Sequence, residues 1–437
     1  MRKSGLVLLF YCVVTTACQK NESECPAGTE DCRCFDDGTC DEGLVCELEV
    51  CVPENGNGDA GTDDADSDPD DTVSGETCEY ECSAHCASVG GVVMSGTCAE
   101  EDDQCCDMSG EGDTNDDSDV EYEISLRVPI TTDIFTADPS AHVFDDTLYV
   151  YPSHDQDTAN GYFYMLDYHV FSLEEDGGFT DHGEILNVDD VAWATSDMWA
   201  PDAAYKDGTY FFYFPAKNRQ GIFQIGVATS ASPTGPFTPE STPIDGSFSI
   251  DPAVFIDDDG KTYMYFGGLW GGQLECWKSG SYDSSCQGPY TWEPALGPRV
   301  ARLDSSMKAI DGEVEEITIV DGNGDALTAS DESRRFFEGV WMHKYNDTYY
   351  LSYSTGTTHL IVYATGDAPT GTFTYRGLLL PNHDSGWTTH HSVVQYHEAW
   401  YLFYHDATCS GGIGERRCVK VADLHYNADG TIQTVHL

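Results

Sequence analysis

One hairpin plan occurs five times in this chain, and that repetition restricts the fold more than any other feature. The segments are ADPSAHVFDDTLYVYPS, WAPDAAYKDGTYFFYFPA, IDPAVFIDDDGKTYMYFGG, EGVWMHKYNDTYYLSYST and HHSVVQYHEAWYLFYHD. Each reads as an apolar strand, a tight turn and a second strand rich in tyrosine and phenylalanine. Further strands between them end in similar turns, as in IGVATSASPTGPF and IVYATGDAPTGTF. Repeats of roughly 50–90 residues, each with three to four strands, are what a β-propeller requires. A β-sandwich also has short alternating strands, but it does not call for five copies of one hairpin. The predicted fold is all-β, a five-bladed β-propeller over residues 124–437.

The repeat can be used as a ruler. Taking the tyrosine that opens each second strand (Tyr149, Tyr210, Tyr263, Tyr349, Tyr401) and counting back eleven residues, or twelve where IDDDGK adds one, gives five equivalent positions. They hold Asp138, Trp199, Asp251, Glu338 and His390. In a propeller, equivalent positions at the start of the innermost strand converge on the central axis. Three carboxylates, an indole and an imidazole are therefore expected around one pocket. Asp138-Pro139 and Asp251-Pro252, taken singly, would read as turn-forming pairs. Together with Glu338 they form a cluster in which each carboxylate raises its neighbours' pKa, a cost that points to function. Glycoside hydrolysis needs two such groups, one protonated to assist the leaving group and one ionised.

Composition separates this region from what precedes it. The chain carries 77 acidic against 20 basic residues, a formal net charge of −57, and about forty per cent of the acids fall between positions 19 and 123. Such charge repels nucleic-acid phosphates and anionic membrane surfaces, so neither is an expected partner. MRKSGLVLLFYCVVTTAC, residues 1–18, has two basic residues, an apolar run too short to span a bilayer, and small residues before Cys18: an export signal. Thr15-Thr16-Ala17-Cys18 resembles a lipobox, which predicts a lipid anchor on Cys18 and an outer-membrane or cell-surface location; otherwise the chain is secreted. Six cysteines lie in residues 19–53 and six in 77–108, read as two small disulfide-rich modules. Residues 54–76 and 109–123 lack core-forming side chains and are read as acidic linkers.

From about Val128 to Leu437 the sequence resembles glycoside hydrolase family 43. ADPSAHVF, SDMWAPDAAYKDGTYFFYF, IDPAVFIDDDGKTY, FFEGVWMHKYNDTYYLSYST, HHSVVQYHEAWYLFYH and CVKVADLHYNADGTI match that family's blocks in order. The resemblance implies a five-bladed propeller acting on xylan and arabinan side chains. It implies Asp138 as general base, Glu338 as general acid and Asp251 as the residue that tunes and orients the acid, the three positions the repeat had selected. It further implies a central calcium held through His390 and waters, with no cofactor required for the chemistry. An arginine late in the last blade would contact substrate; Arg417 is the nearer match, with Arg416 beside it. Trp199 is expected to wall the sugar subsite. Cys276 with Cys286, and Cys409 with Cys418, are expected to close short loops.

The expected function is an inverting glycoside hydrolase, a monomer, that removes arabinofuranosyl or xylosyl residues from arabinoxylan, xylan or arabinan. The alternatives are an endo-arabinanase and a non-catalytic glycan-binding propeller; loss of Asp138 or Glu338 would have marked the latter, and neither is lost. A retaining fructan-type propeller would place Asn-Asp-Pro where this chain has Ala137-Asp138-Pro139.

Overall fold

The computed structural model describes residues 124–157, 162–383 and 387–437, and ahead of them only the backbone of five short strands. Among these, Leu44–Glu47 pairs with Val50–Pro53, and Gln104–Asp107 pairs with both Glu81–Ser83 and Val92–Met94, all antiparallel. The export signal, Cys18, the acidic linkers and the side chains of both six-cysteine modules lie outside the described residues.

From residue 124 onward the chain forms five antiparallel-based sheets, one for each hairpin repeat. Blade one is Phe135–Phe144, Thr147–Asp155, Asp167–Leu173 and Phe179–Asn187, each strand pairing with the next. Blade two runs from Asp202–Lys206 through Thr209–Asn218 and Phe223–Ser230 to Thr238–Pro239, with Ala194–Ser196 beside its second strand. Blade three is Ala253–Ile256, Thr262–Phe266, Arg299–Leu303 and Glu315–Glu316. Blade four is Phe336–Tyr345, Thr348–Thr355, Ile361–Gly366 and Thr372–Leu380, with Thr318–Val320 added in parallel at its outer edge. Blade five has His391–Tyr396, Ala399–Asp406 and Cys418–Leu424. The first strands of successive blades contact one another in turn, and that of blade five returns to that of blade one.

The local chemistry explains the hairpins. Asp145-Asp146, Asp207-Gly208 and Asn346-Asp347 each supply two consecutive residues with φ between 47° and 82°. Two positive φ values make the turn whose twist matches the flanking strands, and Asp, Asn and Gly tolerate them best. The residues on either side pair directly: Phe144 with Thr147, Lys206 with Thr209, Tyr345 with Thr348.

The tyrosines of the second strands join the blades. Tyr151, Tyr213 and Tyr265 are buried, and each hydroxyl donates to a backbone carbonyl in the following blade: Pro233, Met307 and Pro369, at 2.8, 2.8 and 2.7 Å. The ring is apolar burial and its hydroxyl a satisfied donor, so one residue type serves both purposes. The ring of blades closes through the chain's own start. Arg127 N–H donates to Val421 C=O at 2.7 Å and Ile130 N–H to Val419 C=O at 3.0 Å, so the segment before blade one lines the outer edge of blade five.

Candidate active site

The repeat breaks its own regularity where the axial residues stand. Pairing between the first two strands of blade one slips between Ala137 and Ser140, setting Asp138 and Pro139 out of the ladder; in blade four it slips on both sides of Glu338. Such bulges re-aim a side chain. Asp138 and Asp251 have φ of 49° and 56°, and Gly339, next to Glu338, has 63°. Space is tight there as well: a Cβ would lie 3.1 Å from the His390 ring.

All five repeat-equivalent side chains line one cavity of about 260 Å³, together with Arg417. Asp138 has a wall of donors behind it. Arg417 Nη1 donates to its Oδ1 at 3.0 Å, and Ser153 Oγ donates to its Oδ2 at 2.6 Å. The guanidinium is held in turn by Asp155, which accepts from Nε and Nη2, both at 2.8 Å. Asp138 N–H donates to His405 Nδ1 at 3.0 Å, and His405 Nε2 lies 3.0 Å from Thr388 C=O, so His405 is neutral with its proton on Nε2. Burial by itself raises the pKa of Asp138, but its polar partners outweigh it, the Arg417 guanidinium foremost and the Ser153 hydroxyl with it, and bring the carboxyl down to about 2. Asp138 is therefore ionised over the whole physiological range.

Across the cavity the environment is reversed. Glu338 is pushed well above the usual carboxylate range by burial, then by the charges of Asp251 and Asp138. Asp251 is also pushed up, by burial and by Asp138, but it accepts Gly339 N–H at 2.8 Å. Among the described residues no hydrogen bond favours the Glu338 anion. The proton shared by this coupled pair rests on Glu338.

Trp199 lines the cavity, its Nε1 bonded to Phe163 C=O at 2.9 Å. Lys217 Nζ lies 5.5 Å from its ring. His390 faces the cavity with both ring nitrogens buried and without a hydrogen bond among the described residues, Nε2 lying 3.9 Å from Asp251 Oδ2, whereas His391 turns away to Ser352 Oγ at 2.6 Å. Arg417 is buried in the site, while Arg416 pairs with Asp157 outside it. The Cys276–Cys286 and Cys409–Cys418 disulfides are both formed. Sequence reasoning did not find Asp155, Ser153 and His405, nor the cavity residues Tyr162, Phe163, Trp270, Phe337 and Trp387. The second strands offered one signal, because Ser153, Asp155 and His405 are polar residues in otherwise aromatic runs.

A propeller with three axial carboxylates, one held ionised and one held protonated, is a hydrolase arrangement. The chain belongs to glycosyl hydrolases family 43, whose pattern spans residues 127–432. It is 54% identical to Xylosidase/arabinosidase 43A of Humicola insolens over 70% of this chain and 98% of that protein. It is 46% identical to the Beta-xylosidase of Xylanibacter ruminicola over 69% and 97% of the respective chains. Among solved structures it is similar to a GH43 beta-xylosidase/alpha-arabinofuranosidase from a compost microbial metagenome, in complex with xylotriose and in calcium-free form. That likeness has a TM-score of 0.69 and 56% identity and covers 72% of this chain and 98% of the other.

Proposed function

We propose that the enzyme removes single xylosyl or arabinofuranosyl units from xylan, arabinoxylan or arabinan, with inversion at the anomeric carbon. The carrying observation is the opposite electrostatics of the two walls: Asp138 brought down to about 2 by its charged and hydrogen-bonding partners, and Glu338 pushed up. In this reading Asp138 takes a proton from the attacking water as general base. Glu338 gives its proton to the departing glycosidic oxygen, and Asp251 holds the acid's charge state and the Gly339 backbone beside it. Trp199 presents an aromatic face to the sugar. The relatives named xylosidase/arabinosidase support the sugar class. A cavity of about 260 Å³ is at or below the low end of ordinary ligand pockets and suits one sugar ring better than a polymer groove, which favours exo action over an endo-arabinanase.

His390 fits the expected calcium only in part. Neither ring nitrogen has a hydrogen bond among the described residues, but one imidazole is an unusual ligand for an oxygen-seeking ion, so waters would complete the shell. When bound, the ion would add positive charge to the axial channel. Export and lipid anchoring at Cys18 complete the reading: two acidic tethers would let the propeller search polymer near the cell surface. Cys18→Ser should then release the full-length protein from the detergent phase, and an unmodified mature N-terminus elsewhere would end that part of the proposal.

The central test is incubation with arabinoxylan, arabinan and xylooligosaccharides, with products followed by NMR from the first turnover. Monomeric arabinose or xylose of inverted configuration is expected. Retained configuration overturns the mechanism, and oligosaccharide products alone overturn exo action.

A further inference from the structure

A second cluster of ligand-type side chains lies on the strands of blade one. The second strand, Thr147–Asp155, alternates its faces, so Asp155 reaches Arg417 in the active site while His154 points the other way. There it meets Asp167 and His169, two apart on the third strand and therefore on one face. One donor atom from each of the three lies within 4.8 Å of the others. His154 Nδ1 is 2.5 Å from Asp167 Oδ1, and the two imidazoles meet edge to face with centroids 5.2 Å apart. Gln156 reaches the same point, its amide group 3.2 Å from His154 Nδ1 and 3.2 Å from Asp167 Oδ2. None of these residues lines the catalytic cavity.

We propose that His154, Asp167 and His169 form a binding site for one divalent transition-metal ion of the zinc class. Two imidazoles and a carboxylate suit Zn²⁺ or Cu²⁺ and are poorly matched to Ca²⁺. A second shell is already in place. Asp181, on the fourth strand, holds His169 Nδ1 with both carboxylate oxygens at 3.0 Å, which fixes the tautomer and leaves the Nε2 lone pair free for a metal. Gln156 can present its amide oxygen after rotation, or a water can take the fourth position. Tetrahedral ligands about 2.0–2.1 Å from zinc stand roughly 3.3 Å apart, so His154 and Asp167 must separate slightly from their hydrogen-bonded distance. Both are only partly enclosed, with side-chain exposures of 16% and 13%, which leaves room for that adjustment. The bound ion joins the strand that carries Asp155 to its neighbour, so it stabilises the frame behind Arg417 without entering the chemistry.

The test uses the tag-free, oxidised full-length protein, stripped with chelator and dialysed against Zn²⁺, with bound metal counted per chain. His154→Ala and His169→Ala should each lose one equivalent, and Asp181→Asn should weaken binding by about 10–100-fold. Zn²⁺ should raise the unfolding temperature of the unmodified protein, and that rise should be absent in the two alanine variants. Co²⁺ provides a signature that the cysteine modules cannot imitate: visible bands of a nitrogen and oxygen site, without thiolate charge transfer, lost in both alanine variants. Circular dichroism keeps a misfolded variant from being read as a lost site. Unchanged stoichiometry and an unchanged Co²⁺ spectrum in folded His154→Ala and His169→Ala would overturn the proposal.

Discussion

Asp138 and Glu338 face the same small cavity, yet the wall behind one is filled with donors and the wall behind the other is nearly bare. Asp138 receives a guanidinium and a hydroxyl, with a neutral imidazole fixing its backbone. Glu338 has two other carboxylates for neighbours. The comparison shows that burial alone does not assign the roles, because burial is the largest influence on both groups and raises both. What separates them is the sign of the second influence: Arg417 for one, Asp251 for the other.

The hardest test of this asymmetry is to remove each group and compare leaving groups. Asp138→Ala should reduce turnover by about 10⁴-fold on every substrate, since water must be deprotonated whatever departs. Glu338→Ala should reduce turnover on natural oligosaccharides by about 10²–10⁴-fold, roughly 3–5 kcal/mol of transition-state stabilisation, yet spare much of the activity on dinitrophenyl glycosides. Steady-state rates on paired substrates check this. Equal losses on both substrate types would mean that the roles are misassigned.

A finer test changes the charge near Glu338 while keeping the backbone in place. Asp251→Asn retains an oxygen able to accept the Gly339 N–H but removes the second-ranked influence that keeps Glu338 protonated. The alkaline limb of the pH–rate profile should move to lower pH. Stability should change in the opposite sense. A carboxyl whose folded pKa is raised contributes stability present below its unfolded pKa and lost as pH rises through the folded one. Relieving the coupled pair should therefore raise the unfolding midpoint on the alkaline side. An alkaline limb that stays in place would show that Glu338 owes its proton to burial and Asp138, not to Asp251.

The same contrast explains what was legible in the sequence. Asp138, Trp199, Asp251, Glu338 and His390 could be found by counting because a two-residue turn fixes hairpin register, and fixed register carries each first strand to the axis at the same residue. Arg417 was found only by resemblance, and its separation from Arg416 needed three-dimensional information, since Arg416 closes a turn on Ile413 C=O while Arg417 leads into the last strand. Asp155 and His405 escaped because they lie near the ends of second strands, where polarity among aromatic neighbours is the one signal and the repeat does not say what they face. Trp270 and Trp387 come from connections between strands, Trp270 from the long one between Thr262–Phe266 and Arg299–Leu303. Such positions depend on tertiary contacts and not on period. The five blades followed from local pattern, whereas closure through Arg127 and Ile130 involves residues almost the whole domain apart.

The smallest expected effect isolates one donor on the Asp138 wall. Ser153 is fully buried, and its Oγ donates to Asp138 Oδ2 at 2.6 Å. A hydrogen bond to a charged group contributes about 1.5–3 kcal/mol, so its loss corresponds to roughly one to two pKa units. Ser153→Ala should raise the Asp138 pKa from about 2 but leave it acidic, because Arg417, the larger charge influence, remains. Turnover near neutral pH should change only a few-fold, with Asp138 still ionised there. The acid limb should shift upward and become visible before the protein unfolds. The stability sign follows from the depressed pKa: Asp138 contributes stability that is present above its unfolded pKa, near 3.9, and lost as pH falls through about 2. Ser153→Ala narrows that interval, so its stability deficit should be full at pH 6 and shrink on acidification. Rate profiles and denaturation at pH 3 to 7 read both effects. If the alkaline limb moves instead, Ser153 acts on Glu338, and the two walls are not electrostatically separate.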